Sequence, residues 1–253
     1  MAESFAALLL AHLLGDFVAQ SDRMATAKAQ RSPSWLLAHV MIHAALIGCV
    51  LAAWNAAFIM ALGCVVLSHL LIDFGKSFTT TGALRPFVID QAAHILVVAS
   101  VAAVCPALWH TSLWANLQLP SGVGLGALPA VFALVAGAVA CTRMGGLAVG
   151  AIMRPLAARA PKGGLPQGGA MIGTLERALI YVLILCAQPQ GIGFLIAAKS
   201  ILRFDPAAKG HTAANEYVII GTLASFCWAI TTAYLTRAFL GYLPDLGIPP
   251  LHD

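Results

Sequence analysis

Charge is what this chain lacks most. Of its 253 residues only 9% are Asp, Glu, Lys or Arg, far below the roughly 25% of a soluble domain. Hydrophobic residues make up 60% and the mean hydropathy is +0.88. A soluble globular protein is excluded, and a polytopic membrane protein is expected. Paired cysteines are also missing: Cys49, Cys64, Cys105, Cys141, Cys186 and Cys227 stand singly in apolar runs with no CxxC spacing. That pattern suggests neither a disulfide framework nor a thiolate metal site. The net charge of +4 forms no basic block with interleaved aromatics, which sets nucleic acid aside. Nor does the start have a basic leader, because Glu3 stands there and His12 and Asp16 interrupt the apolar run. It reads as a first span rather than as a cleavable signal.

What the chain does hold is length enough for about eight spans of near 20 residues. They fall near residues 4–20, 34–54, 56–76, 86–105, 128–150, 169–188, 191–204 and 216–240. The fold class is therefore all-α, a polytopic integral membrane protein of about eight transmembrane helices. Residues 1–105 form one unit, 106–127 a loop, 128–240 a second helical unit and 241–253 a tail. Cationic linkers alternate with linkers lacking Lys and Arg: Arg23, Lys28 and Arg31 come first, then Lys76 and Arg85, then Arg154, Arg159 and Lys162, then Arg203 and Lys209. The positive-inside rule then places both termini outside the cytoplasm.

Against this apolar background a motif repeats. HLLGDF at 12–17 returns as HLLIDF at 69–74, and each copy is followed by another polar pair four residues apart. The pairs are His12 with Asp16, His39 with His43, His69 with Asp73, and Asp90 with His94. Residues four apart share one helix face, and ionisable groups at membrane depth are costly enough to mark a site. Counted from the cytoplasmic helix ends, Asp16, His39, Asp73 and Asp90 lie roughly 6 Å deep, and their partners roughly 12 Å deep. A tandem two-helix repeat should thus build a four-helix polar core with its eight groups in two layers.

Imidazole and carboxylate together are ligands for zinc, and next for manganese or iron. Eight groups exceed the four of one tetrahedral zinc, so either two divalent ions bind or some groups orient the ligating histidines. Gln20 and Gln91 lie near this face as hydrogen-bonding support. His110, His211 and His252 are given no role. The second half carries different chemistry: Glu176, Arg177, Lys199 and Arg203, with Arg143 inside the fifth span and Glu216 opening the eighth. These cations outnumber their glutamates, so Arg143, Arg177, Lys199, Arg203 and Glu176 are candidates to hold an anionic group such as a phosphate. The bland alternative is an internally neutralised set with interfacial anchors.

The motifs HLLxDFxxQ, HxxxH, HLLIDFxK, DQxxH, GxLER and AAKSxxRF resemble, over the whole chain, a bacterial inner-membrane family catalogued as a domain of unknown function. The opening helices also resemble the LexA-regulated metal-dependent membrane hydrolases of the YdjM type. That second likeness implies a metal-dependent hydrolase; neither supplies a substrate. The function expected is hydrolysis of a lipid-linked ester, preferably a phosphoester, at the cytoplasmic leaflet. Asp16 or Asp90 would take the proton while Lys199 and Arg177 hold the phosphate. A transporter coupled to metal ions or protons is the rival, since the same His/Asp cluster would suit it. A structural or partner-binding subunit stapled by metal is the third reading.

Overall fold

A computed structural model describes residues 1–117, 125–160, 165–202 and 212–249. Among them there is no strand. The order is α1 (Ala2–Leu14), running into a π turn (Gly15–Ala19); a short α2 (Asp22–Ala29); α3 (Pro33–Leu51); α4 (Ala56–Lys76); α5 (Leu84–Val104); and one turn, α6 (Leu113–Asn116). Then come α7 (Leu128–Val139), a second π turn (Ala140–Met144), α8 (Gly145–Met153), a 3-10 turn (Arg154–Arg159), α9 (Gly168–Leu185), α10 (Gly191–Leu202) and α11 (Thr212–Leu240).

Seven of the described helices are long and apolar enough to cross a membrane. The 21 residues of α4, at 1.5 Å each, extend about 31 Å, which matches a hydrocarbon core of about 30 Å. The span expected at 191–204 is short from the outset, a half-helix or a tilted one; among the described residues it is α10, of 12 residues, about 18 Å long. Each other expected span has its helix.

The chain divides into two compact units: Met1–Val139 with Ala238–Leu246, and Ala140–Arg237 with Gly247–Asp253. The division falls inside the expected fifth span because α7 packs on α1. In the first unit, small residues on α1 (Ala6, Ala7 and Ala11, all fully buried) let α3, α5 and α7 approach, as close packing between membrane helices requires. Leu8, Ile47, Leu51, Phe58, Val65, Val98 and Trp109 complete an apolar core. Ser4 ties its end: the hydroxyl donates to the Pro106 carbonyl at 2.9 Å and accepts from the Trp109 backbone at 3.1 Å. Local chemistry sets the helix starts. Pro33 opens α3, where its missing N–H costs nothing, and Asn55 caps α4 by accepting from the Phe58 backbone at 2.9 Å.

Polarity is inverted relative to a water-soluble bundle. Leu37, Met41, Leu67, Leu71 and Leu96 face outward, while His39, His43, His69, Asp73, Asp90 and His94 are buried. Large apolar residues on the outside of α3, α4 and α5 suit lipid as the surrounding solvent. The buried polar residues must then satisfy one another.

A candidate metal centre

Four helices of the first unit supply the cluster. Asp16 sits within the π turn that ends the first span, a distortion that occurs frequently at functional sites. Gly15 comes just before it for a steric reason. A Cβ there would lie 2.8 Å from Nδ1 of His43 and closer still to the ring's Cε1 and Nε2. The variable residue of the first HLLxDF copy is therefore glycine because an imidazole from α3 rests on the α1 backbone.

At the centre, His39 Nε2 lies 3.2 Å from Asp16 Oδ1, 3.1 Å from His69 Nε2 and 3.3 Å from His43 Nε2. Asp16 Oδ1 is 3.1 Å from His43 Nε2 and 3.4 Å from His69 Nε2. The His43 and His69 rings stand 3.8 Å apart, centroid to centroid. Ligand atoms about 2.0–2.1 Å from a tetrahedral zinc are separated by about 3.3–3.4 Å along each edge. The measured separations match that scale.

Protons alone satisfy this arrangement poorly. A neutral imidazole carries one N–H, and His39 Nε2 faces two other ring nitrogens and a carboxylate at once. Meanwhile Nδ1 of His39 and of His43 are buried without a hydrogen-bond partner. A divalent cation would accept all four converging lone pairs together. Asp73 adds a fifth group, its Oδ2 3.4 Å from His39 Nε2 and 3.5 Å from His69 Nε2.

Beside this lies a second group, Asp73, Asp90 and His94, whose ligand atoms come within 4.8 Å of one another. His94 Nδ1 is 3.0 Å from the backbone carbonyl of Asp90. That contact assigns the proton to Nδ1 and leaves Nε2 as a lone pair; Nε2 is buried without a partner, as is Oδ1 of Asp90. His12 stacks on His94 at 5.0 Å and places Nε2 3.3 Å from Gln91 Oε1. The Gln91 amide donates to Asp16 Oδ2 at 3.1 Å and to Asp90 Oδ2 at 3.0 Å, linking the two groups.

All eight expected residues come together, and the pairs four residues apart stay in contact, His39 with His43 at 3.3 Å and His69 with Asp73 at 3.5 Å. His12 reaches Gln91 and also forms a group with Asp16, His43 and His69, with ligand atoms within 4.8 Å of one another. What the spacing did not convey is that Asp16 meets three imidazoles on α3 and α4. Two further residues belong here. Lys28 on α2 donates to Asp73 Oδ2 at 2.6 Å, and Lys76 donates to Asp90 Oδ2 at 2.5 Å. The sequence signal for the second was the lysine of HLLIDFxK; Lys28 gave none beyond a loop charge.

Residues 4–118 match the family model described as "Protein of unknown function (DUF3307)". The matched stretch takes in the whole cluster, Lys28 and Lys76 included, and stops short of the second unit. The family likeness expected over the whole chain is thus found over its first five helices and the turn beyond them. No curated protein and no solved structure matches the chain.

The second unit contains the other candidates. Lys199 donates to Glu176 Oε2 at 2.7 Å and lies 5.4 Å over the Phe226 ring. The buried Arg177 donates from Nη1 to Ser225 Oγ at 3.1 Å, and from Nη2 to the Thr142 carbonyl at 3.0 Å and Thr174 Oγ1 at 3.2 Å. Only its Nε is left over. Thr142 belongs to the π turn, so Arg177 joins α9 to that turn and to α11. Arg143 and Glu216 are exposed, apart from this network, and Arg203 lies outside the described residues. The expected surplus of free cations is therefore much reduced: one ammonium has its glutamate and one guanidinium its neutral acceptors.

Proposed function

We propose that the protein is a metal-dependent membrane hydrolase acting on a lipid-linked ester, with a phosphoester preferred. The observation that carries the reading is the convergence of His39, His43 and His69 Nε2 with Asp16 Oδ1 at 3.1–3.4 Å. These four residues would hold one divalent ion, zinc by preference for this donor set. Asp73, Asp90 and His94, with ligand atoms within 4.8 Å of one another, would hold a second. A metal bound there would supply a water activated at neutral pH and would polarise the scissile bond. The chain's own residues do the rest. Gln91 holds Asp16 and Asp90 in register. Of the two carboxylates expected to compete for the proton, Asp16 is committed to imidazoles, whereas Oδ1 of Asp90 accepts no hydrogen bond, so with a single ion in the cage Asp90 would be the base.

A hydrolase rather than a carrier is favoured by where the ionisable groups lie. The cluster, Lys28 and Lys76 gather towards the helix ends joined by the cationic linkers, and the opposite end of the bundle is the apolar core of Leu51, Phe58, Val101 and Trp109. On the positive-inside argument this puts the site at the cytoplasmic side of a bacterial inner membrane. The N-terminus is then outside, and the C-terminus as well if α10 counts as crossing.

Elemental analysis of protein extracted in mild detergent tests the proposal. One or two equivalents of zinc, manganese or iron are expected, with release of a water-soluble head group from a lipid ester that chelator abolishes. Protein without stoichiometric metal, or with full activity after His43→Ala and His94→Ala together, sinks it. Metal-dependent uptake into liposomes without hydrolysis would instead make it a transporter.

A further inference from the structure

A groove of about 410 Å³ opens between α4 and α5, and it borders the cluster. Its volume is within the range of small-molecule sites, about 300–1,000 Å³. Asp90 lines it, and the buried Oδ1 of that carboxylate accepts no hydrogen bond. The groove is chemically graded along its length. At the linker end stand Lys76, Thr79 and Arg85; deeper along the helices, the walls are Ile72, Ile89 and Ala93.

Position explains the gradation. Lys76 is the last residue of α4 and Arg85 the second of α5, so both occupy helix ends, where the head groups of a bilayer lie. Ile72 is four residues further along α4, and Ile89 and Ala93 are four and eight beyond Arg85, about 6 and 12 Å along the axis. Lys76 and Arg85 set against Asp90 leave one positive charge uncompensated. Among the described residues Arg85 forms no ion pair. Lys76 spends one of its donors on Asp90 and has two left.

From this we propose that the α4–α5 groove seats a membrane amphiphile with a phosphate head group, held by Arg85 and Lys76, its chain lying along Ile72, Ile89 and Ala93. The claim rests on the hydrolase reading, since it places the head-group ester beside Asp90, but it concerns a different surface from the metal ligands. It also moves the phosphate contact from the second unit, where Arg177 and Lys199 are largely committed, to the first. Arg85 matters through its fork, which meets two phosphate oxygens at once. Ala93 matters through its size, because a larger side chain would fill the wall.

Full-length protein in dodecyl maltoside, titrated with dioleoyl phosphatidic acid or dioleoyl phosphatidylcholine and read by native mass spectrometry, decides the matter. Phosphatidic acid should bind at least about tenfold more tightly than phosphatidylcholine. Arg85→Gln should weaken it about tenfold, as loss of a charge-assisted pair does, and Ala93→Trp should abolish the bound species. Arg23→Gln, a cation away from the groove, should leave it unchanged. Equal binding of the two lipids, binding indifferent to both groove variants, or inorganic phosphate binding as tightly as the lipid would overturn the groove. Each titration is run after chelation and after metal reconstitution, with metal counted. Lipid selectivity in a protein that never binds metal would leave the groove standing and remove the hydrolase; stoichiometric metal without selectivity would do the reverse.

Discussion

The two HLLxDF copies begin alike and end in different environments. In the first, Asp16 lies in a π turn and meets three imidazoles. In the second, Asp73 and the following Asp90 lie on regular helices and each takes a lysine ammonium. The variable residue follows suit: Gly15 is stripped of its side chain so that His43 can lie on it, whereas Ile72 keeps its side chain and walls a groove. One half of the duplication supplies three of the four cage groups, Asp16, His39 and His43. The other lends His69 to the cage and keeps Asp73 and Asp90 buried, each with a lysine, beside the α4–α5 groove. A metal-dependent enzyme needs both, a place where nothing moves and a place where something enters.

The largest expected effect separates the halves at their histidines. His39 is close to Asp16, His43, His69 and Asp73 at once, so His39→Ala removes the hub of the cage. Structural zinc sites bind with about 10–16 kcal/mol, so one of four ligands is worth on the order of 3 kcal/mol, more than a hundredfold in affinity. His94→Ala, by contrast, should leave the first ion bound and cost at most the second. Metal content after equilibrium dialysis against a graded chelator reads both, and equal losses would break the distinction.

Next comes the variable position. Gly15→Ala would gain about 1 kcal/mol of helix propensity, but its methyl enters the His43 ring, and overpacking costs typically 1–3 kcal/mol. The clash should win, because the ring is held between α1, α3 and α4. Metal affinity should fall at least about tenfold, with a lowered melting temperature. Ile72→Ala, half-buried beside the groove, should leave metal binding within about twofold. A Gly15→Ala protein with unaltered affinity would mean that His43 is not a ligand.

Much of this was legible in the sequence, and the parts that were not share a cause. Apolar length located seven spans because a bilayer sets one thickness for all. Spacing flagged the eight groups because polar residues are rare at that depth. Spacing could not say which groups meet: His39 lies 30 residues from His69 and 23 from Asp16, and their convergence depends on helix packing. Lys28 escaped for the same reason. It sits in a linker helix that reads as an interfacial anchor until α2 folds back and places it on Asp73. The Arg177 contacts were hidden differently, since neutral carbonyl and hydroxyl acceptors leave no mark in a count of charges.

The lysines give the third contrast. Lys28 and Asp73 are both nearly buried, with side-chain exposures of 11% and 4%. Breaking a buried pair by removing one partner costs about 3–5 kcal/mol. Lys28→Met should therefore lower the melting temperature of chelated protein clearly and that of metal-loaded protein less, because a bound ion would neutralise Asp73 in the ammonium's place. A loss of equal size in both states would place Asp73 outside the metal's reach.

The smallest effect belongs to Lys76, 41% exposed against a buried Asp90. An ammonium with that much access to water contributes little to stability, about 1 kcal/mol or less, and it can leave Asp90 without unfolding anything. Lys76→Met should accordingly shift the melting temperature less than Gly15→Ala or Lys28→Met, and should leave the first metal in place. Its consequence would appear in turnover. The ammonium both pairs with Asp90, the proposed base, and lines the groove, so hydrolysis of a phosphorylated lipid should slow while that of an uncharged ester is spared. Steady-state rates on the two esters, compared between wild type and K76M, measure that ratio. If both esters slow equally, Lys76 acts only on Asp90, and the second half of the duplication is a closed part of the cage rather than its entrance.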